Sequence, residues 1–534
     1  MATLDPPRDP PSILGVPPIR DYGTPTRFAR LPSRAQTAGV VLVLVGLAAF
    51  IRLHYLTGQL WSDEANTVGI ASHSLTAIPG LLWHGGGAPL YFFLLHIWTA
   101  AFGASEASAH ALSVLIGVAS VPVAVWLAWS LFGRRAGYLA GGLFAFNGFI
   151  TQYAEEARPY ELMALLGLLA TGAFLHVFVY RRRRGWLALL AASLALMLYT
   201  DPWGIFFWAG ALLALVPVCS TSADRRGLLR DALIVFGAAA IAFVPWIPTL
   251  VHQAGSATAP WHYMPLPGAN VPRKLLGSDR VDAALAVAVA AGIVPFLAAR
   301  RRRTSEAAVA AALIALPLGA LVIARLVGFA VPTWTVRYMA PVVAPLLLLA
   351  AMASARTGLL GLAVVVVTCA FLANPASFIP TYKSDMRDVA GEVAPYLRPG
   401  DVVLVAQPEQ TPLAWYYLPR GLRYETPFGP DTHPSWMNWD SAMSRIRRSA
   451  PRALVAGLVA HLSPGQHLLL VRPLTEGASN WSQPWTVLVR RRSAELSAAV
   501  ASDPGLAAVP GAFAPHYYRG SCCLASSALL YVRR

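Results

Sequence analysis

Charge is scarce in this sequence: Asp, Glu, Lys and Arg together make up 13% of 534 residues, against 56% hydrophobic residues. So little polar surface excludes a water-soluble globular protein of this size, and the chain reads as a polytopic α-helical membrane protein. Lysine is almost missing, with Lys274 and Lys383 the only two, and the absence of a phosphate-loop lysine pattern excludes a nucleotide P-loop. Cysteine is sparse too. Cys219 and Cys369 fall in apolar runs, Cys522 and Cys523 are adjacent, and no zinc or haem spacing occurs. No internal repeat stands out, although an inverted-repeat transporter would carry one.

Arginine and apolar runs are what the chain has in plenty. The formal net charge of +16 gathers in short runs between apolar segments, at Arg181 to Arg184, Arg225-Arg226 and Arg300 to Arg303. That pattern fits the positive-inside bias and anionic membrane lipids, and it argues against a nucleic-acid partner. Apolar runs at about 39–56, 107–131, 136–152, 159–180, 186–199, 203–219, 231–250, 281–299, 305–327, 338–355 and 357–373 predict about eleven spans.

With the arginine runs cytoplasmic, parity puts 57–106, 153–160, 200–203, 251–280 and 328–337 outside. This holds provided that Pro89 to Gly103, short for a crossing, is a juxtamembrane helix. The chain then divides into a disordered cytoplasmic tail (1–38), a transmembrane domain (39–373) with a long first extracytoplasmic loop (57–106), and an extracytoplasmic α/β domain (374–534). Short β-like runs at Asp401 to Val405, His467 to Val471 and Leu529 to Val532 mark that last domain. The tail, rich in Pro and Arg, has no hydrophobic periodicity and is not read as a cleavable signal peptide.

Two acidic clusters face the outer border: Trp61-Ser62-Asp63-Glu64 after the first span, and Tyr153-Ala154-Glu155-Glu156-Ala157-Arg158-Pro159-Tyr160 after the third. A carboxylate there can take a proton from an attacking hydroxyl while a sugar leaves its phosphate carrier, and cations neutralise the departing phosphate. Asp63 and Glu64 are therefore the catalytic candidates. Read alone, they serve equally as a cap for the next helix.

Glu155 with Arg158, and Glu156 with Tyr160, have spacings that bring each pair to one face of a helical turn, although Pro159 interrupts it. Arg158 is a phosphate clamp or half of a structural ion pair, and Arg337, before Tyr338, meets the phosphate or snorkels. His84, before three glycines, is a donor to an oxyanion. Asp201, His252, His262, Arg273 and Lys274 are weaker candidates, and Trp261, Tyr263, Trp334 and Tyr338 read first as an interfacial belt. Asp63, Glu64, Glu155 and Glu156 also offer oxygens to a divalent cation (Mg or Ca), though no spacing demands one and the metal stays unknown.

The order Trp-x-Asp-Glu, Pro89-Leu90-Tyr91, Phe132-Gly133-Arg134-Arg135, Gln152 to Tyr160, Arg337-Tyr338 and Tyr382 to Asp388 resembles the glycosyltransferase family 39-like membrane mannosyltransferases of the glycosyltransferase C superfamily. The resemblance covers roughly residues 40 to 400. It departs at Ala88, where relatives often carry a second Pro or a Lys, and at Asp201, where a His-containing turn is frequent.

The likeness implies the GT-C fold and an inverting plasma (inner) membrane enzyme. Such an enzyme moves a sugar, mannose first, from a polyprenyl-phosphate donor to a cell-envelope glycan or glycolipid outside the cytoplasm. Asp63 matches the family's base, and Arg158 and Arg337 match positions near the donor phosphate. An arabinosyltransferase using polyprenyl-phosphate-arabinofuranose is the alternative within the class, and a lipid-sugar transporter or flippase the alternative outside it.

Overall fold

A computed structural model describes residues 34–54, 56–183, 185–256, 305–330, 333–372, 383–474, 483–510 and 525–534, with residues 286 and 289 alone between 256 and 305. The expected span at 281–299 apart from those two residues, Arg300 to Arg303, Arg273, Lys274, Trp261, His262, Tyr263, Tyr382, Cys522, Cys523 and nearly all of the N-terminal tail lie outside the described residues.

The membrane domain is built from helices α1 (Arg34–Leu53), α2 (Ser62–Ala71), α3 (Ile78–Gly85), α4 (Pro89–Phe102), α5 (Glu106–Phe132), α6 (Arg134–Phe146), α7 (Gly148–Ala154), α8 (Tyr160–Phe174), α9 (Trp186–Leu198), α10 (Gly204–Thr221), α11 (Arg225–Phe243) and α12 (Ile247–Gly255). It continues with α13 (Ser305–Val327), α14 (Ala340–Arg356) and α15 (Leu359–Leu372). Among the described residues, six helices are long and apolar enough to cross a bilayer. Trp186–Leu198, Gly204–Ser220 and Leu359–Ala370 are shorter apolar helices where spans were expected.

The expected span at 136–152 is broken at Asn147, whose extended backbone ends α6 and whose side chain accepts from the Ile150 amide at 3.0 Å to start α7. An amide side chain that bonds a nearby N–H competes with the helix ladder, so the chain turns there. Leu42, Phe50, Val216, Leu233, Ile241 and Leu359 leave large apolar surfaces exposed around the bundle, as a lipid-facing belt requires.

Helix contacts in the bundle rest on small residues. A Cβ on Gly167 of α8 would lie 2.5 Å from the Pro341 carbonyl oxygen of α14, and one on Gly210 of α10 would lie 2.4 Å from that of Leu316 in α13. Such close backbone approach is the usual basis of helix association in lipid, where apolar burial supplies little drive.

The two ends of the bundle differ in chemistry. At one, Arg181 bridges Asp224 and Asp231 at 3.0 and 3.2 Å, Arg183 holds Asp231 at 2.7 Å, and Arg135 bonds the Gly358 carbonyl. At the other, the loops after α1, α7 and α9 converge with residues 333–339.

Among the described residues, six strands all lie between residues 402 and 533: β1 (Val402–Val405), β2 (Arg423–Thr426), β3 (Gly429–Asp431), β4 (His467–Pro473), β5 (Leu506–Ala508) and β6 (Ser526–Arg533). They form one mixed sheet in the order β3-β2-β1-β4-β6-β5, with β1 parallel to β2 and β4, and β6 antiparallel to β4 and β5. Val402, Leu404, Leu468 and Leu470 face a core with Val455, Leu496 and Val500, from the helices Pro451–Ala460 and Pro484–Ser502. Val403, Val405, Leu469 and Val471 face the other way, into the core shared with the membrane domain and with the helices Met386–Val393 and Thr411–Tyr417. The sheet is thus the middle of three layers, and one of its faces looks toward the bundle.

Polar contacts fix that docking. Tyr417 accepts from the Leu60 amide at 2.8 Å and donates to Glu106, Gln59 donates to Asp388 at 2.7 Å, and Arg387 reaches Glu106 at 2.6 Å. A second seam runs along residues 433–440: Asn66 accepts from the Met437 amide at 2.8 Å, and His73 meets Ser435 at 3.1 Å. At Gly69 a Cβ would sit 1.6 Å from the Ser435 carbonyl oxygen, so only glycine lets the strap lie on α2. Gly69→Val is expected to lift this strap at a cost of about 1–3 kcal/mol. Trypsin should then cut faster at Arg445, Arg447 and Arg448, and a cleavage rate equal to that of the unaltered protein would contradict the packing described.

Candidate functional site

The site forms around the first turn of α2. Its N-terminus is closed by Glu64, which accepts from the Trp61 amide at 3.2 Å, a capping contact made by the third helical residue. The same carboxylate does more. Its Oε1 accepts from His110 Nε2 at 2.8 Å, from the Ala157 amide at 2.8 Å and from Lys383 Nζ at 3.0 Å, while Oε2 is 3.1 Å from Lys383. Glu64 and His110 have fully buried side chains. Burial alone would push the Glu64 carboxyl up, but Lys383, His110 and the Ala157 amide outweigh it and hold the group well below the ordinary carboxylate range. Glu64 therefore ties together the first loop, α5, the turn after α7 and the segment that enters the α/β domain.

With Glu64 committed inward, its neighbour Asp63 points to the open side. Arg158 Nη2 stands 3.7 Å and Arg337 Nη2 3.5 Å from Asp63 Oδ2. The Asp63 side chain remains about one-third exposed. Arg158 is steadied by Thr67 Oγ1 at 2.9 Å and by the Tyr160 hydroxyl at 3.3 Å. Arg337 lies over the rings of Trp61 and Tyr338, 5.3 and 5.4 Å from their centroids, and the Tyr338 ring is 6.2 Å from that of Tyr160. One carboxylate between two guanidiniums, walled by aromatic rings, is suited to hold an anionic headgroup beside a proton acceptor.

Glu155 and Glu156 flank this group, but on no helical turn. The chain leaves the helix at Glu155, the Arg158 amide bonds the Glu156 carbonyl at 2.7 Å, and α8 starts at Tyr160. The pairing of Glu155 with Arg158 on one helical face is accordingly replaced by Arg158 with Asp63. Pro159 accounts for the change, since it disfavours helical geometry at the preceding residue.

Burial raises Glu155 to about 8, against the pull of Lys383. Burial likewise raises Glu156, with Lys383, Arg337 and Arg158 opposing it. Glu156 Oε2 is buried and has no hydrogen-bond partner among the described residues. Asp201 Oδ1 caps the turn before α10 by accepting from the Trp203 amide at 2.8 Å. Burial raises its carboxyl to about 6, while Arg158 and Arg337 draw it down, so it belongs to the same electrostatic cluster.

Of the residues named from sequence, Asp63, Arg158, Tyr160, Arg337 and Tyr338 come together directly, with Glu64, Glu155 and Glu156 behind them. His84 stands apart in another group, bonded to Asp440. Sequence reasoning missed Lys383 and His110 as site residues. The signals were present, in one of only two lysines and in a histidine within an apolar run. Arg52 and Glu161, both buried at this end of the bundle, were missed as well; Arg52 donates to the Phe144 carbonyl at 2.8 Å.

Among the carboxylates considered for a divalent cation, Glu64 has both oxygens occupied by protein donors, and Asp63, Glu155 and Glu156 do not gather their oxygens within 4.8 Å of one another as a set of ligands would.

The ion pair makes a stability prediction. Glu64→Gln or Lys383→Met alone strands a buried partner and is expected to cost about 3–5 kcal/mol, whereas the double variant should be less damaged than either. Thermal unfolding in detergent micelles measures this, and a strictly additive double variant would refute the pairing. Because the folded Glu64 carboxyl is lowered, its stabilisation is complete above about pH 4.5 and fades as pH falls toward about 2.

Comparison with known proteins gives the fold. Residues 86–252 match the sequence profile of the dolichyl-phosphate-mannose-protein mannosyltransferase family. No curated protein matches the sequence. Among solved structures, apo ArnT from Cupriavidus metallidurans is similar with a TM-score of 0.59 at 15% identity, over 93% of this chain and 98% of that one. The same protein bound to undecaprenyl phosphate gives a TM-score of 0.56 at 14% identity, over 92% and 98%. The archaeal oligosaccharyltransferase AglB from Archaeoglobus fulgidus, in complex with an inhibitory peptide and a dolichol-phosphate, gives 0.53 at 11% identity, over 87% and 72%. The chain has the glycosyltransferase C fold, with a C-terminal sheet domain, in agreement with the resemblance read from its motifs.

Proposed function

We propose that the protein is an inverting membrane glycosyltransferase. It transfers mannose from a polyprenyl-phosphate carrier to a hydroxyl of a cell-envelope glycan or glycolipid, at the extracytoplasmic face of the plasma (inner) membrane. The observation that carries this reading is the convergence of Arg158 and Arg337 on the partly exposed carboxylate of Asp63, at 3.7 and 3.5 Å. The solved relative holding undecaprenyl phosphate supports a polyprenyl-phosphate donor, and the description of the matched family supports mannose. Arginine runs at the opposite end of the bundle support an outward-facing site.

In the reaction, the acceptor oxygen attacks the anomeric carbon from the side opposite the carrier. Its proton passes to Asp63, the glycosidic C–O bond forms and the bond from carbon to carrier oxygen breaks, leaving a polyprenyl phosphate monoester. The electron pair of the broken bond stays on that phosphate, whose added charge Arg158 and Arg337 stabilise. A phosphate needs no protonation to depart under such pairing, so one base suffices. Asp63 is the catalytic base. Arg158, Arg337, Tyr160 and Tyr338 hold the donor headgroup. Glu64 positions Asp63 by fixing the helix that bears it. Glu155 and Glu156 supply further acceptors for sugar hydroxyls.

Asp63→Asn keeps the shape of the side chain and removes the proton acceptor. Transfer from polyprenyl-phosphate-mannose by the purified protein is expected to fall about 10²–10⁴-fold. Arg337→Gln should weaken donor binding, seen as a raised KM for the lipid. Transfer at the unaltered rate by Asp63→Asn would remove the base from this mechanism.

A further inference from the structure

His84 at the end of α3, His252 in α12 and Asp440 in the strap of the C-terminal domain meet away from the arginine cluster. His84 Nδ1 bonds Asp440 Oδ2, and His252 Nε2 lies 3.0 Å from Asp440 Oδ1. The three ligand atoms all fall within 4.8 Å of one another. Three chain segments, the outer two 356 residues apart in sequence, thus contribute one ligand-type atom each.

Each of these segments is held from behind. The His84 carbonyl accepts from the Trp439 amide at 3.0 Å, and the Asp440 amide donates to Asn438 Oδ1 at 2.8 Å. The Trp83 ring stacks on His252 at 4.5 Å. Gln253, the next residue, donates to the Leu82 and Gly87 carbonyls at 2.8 and 3.0 Å, which locks α12 against α3. Supports of this kind, bonded to the residues around the ligands, are what orients metal-binding imidazoles.

We propose that His84, His252 and Asp440 form a binding site for a divalent transition metal of the zinc class, which pins the C-terminal domain to the first external loop. Two imidazoles and one carboxylate are a borderline N/N/O set, the choice of Zn2+ rather than of Mg2+ or Ca2+. With three protein ligands, the fourth tetrahedral position is open to water. The three side chains are partly exposed, so the ion has a path in from solvent. Asp440 then exchanges two hydrogen bonds for two bonds through the ion, and the strap that lies on α2 through Asn66 and Gly69 is clamped at its far end. Arg445, bonded to the Asn438 carbonyl, is a neighbouring positive charge drawn toward Asp440, and the site must hold its ion against it.

The test uses the purified full-length protein, stripped with EDTA, desalted and titrated with Co2+ alone. One equivalent is expected to produce the visible absorption bands of four-coordinate cobalt, and Zn2+ should displace it and raise the thermal midpoint. His252→Gln and Asp440→Asn should each lose the bands and the shift, while His433→Ala, in the same strap, should keep both. Thermal unfolding of the metal-free variants shows that they are folded. Absence of the bands in the native chain, or their persistence in both ligand variants, overturns the proposal and leaves a hydrogen-bonded His–Asp–His bridge. Neither readout depends on sugar transfer, so the outcome is independent of the catalytic reading.

Discussion

The carboxylate of Glu64 is the contact on which the rest of the architecture depends. It is buried with His110, receives the Ala157 amide and is neutralised by Lys383, a residue 319 positions away. A buried charge is costly unless every lone pair is met, and here the protein meets them with groups from four parts of the chain. Placing that acid in the core turns its sequence neighbour, Asp63, about 100° away around the axis of the first helical turn. The division of labour between two adjacent acids, one structural and one facing solvent, therefore follows from helix geometry and one ion pair.

Around that anchor the polar groups sort by depth. Asp63, Arg158 and Arg337 stay partly open, whereas Glu64 and His110 have fully buried side chains. Tyr160 and Tyr338 stand beside the two arginines, with their rings 6.2 Å apart and Arg337 over the Tyr338 ring.

Much of this was legible in the sequence, and the parts that were not have a common cause. Apolar run length marks helices such as α5 and α14, because hydrophobic thickness constrains a span locally. Asp63, Arg158 and Arg337 stood out since charge is rare at the ends of such runs. The break at Asn147 went unread because its neighbours are uniformly apolar, and a single amide decides it through one hydrogen bond. Lys383 and His110 were passed over for a different reason. Their meaning lies in a partner far away in the chain, and neither periodicity nor composition encodes who meets whom. The same holds for His84, whose neighbours His252 and Asp440 come from segments with no common pattern.

Trp61 shows how economically the first turn is used. Its backbone N–H is committed to Glu64, and its ring lies beneath Arg337. An aromatic face steadies a guanidinium without consuming any of its five N–H donors. Arg337 Nε accordingly keeps its N–H without a hydrogen-bond partner among the described residues, and the headgroup proposed for this site would meet a guanidinium shelved on aromatic rings with donors still to give.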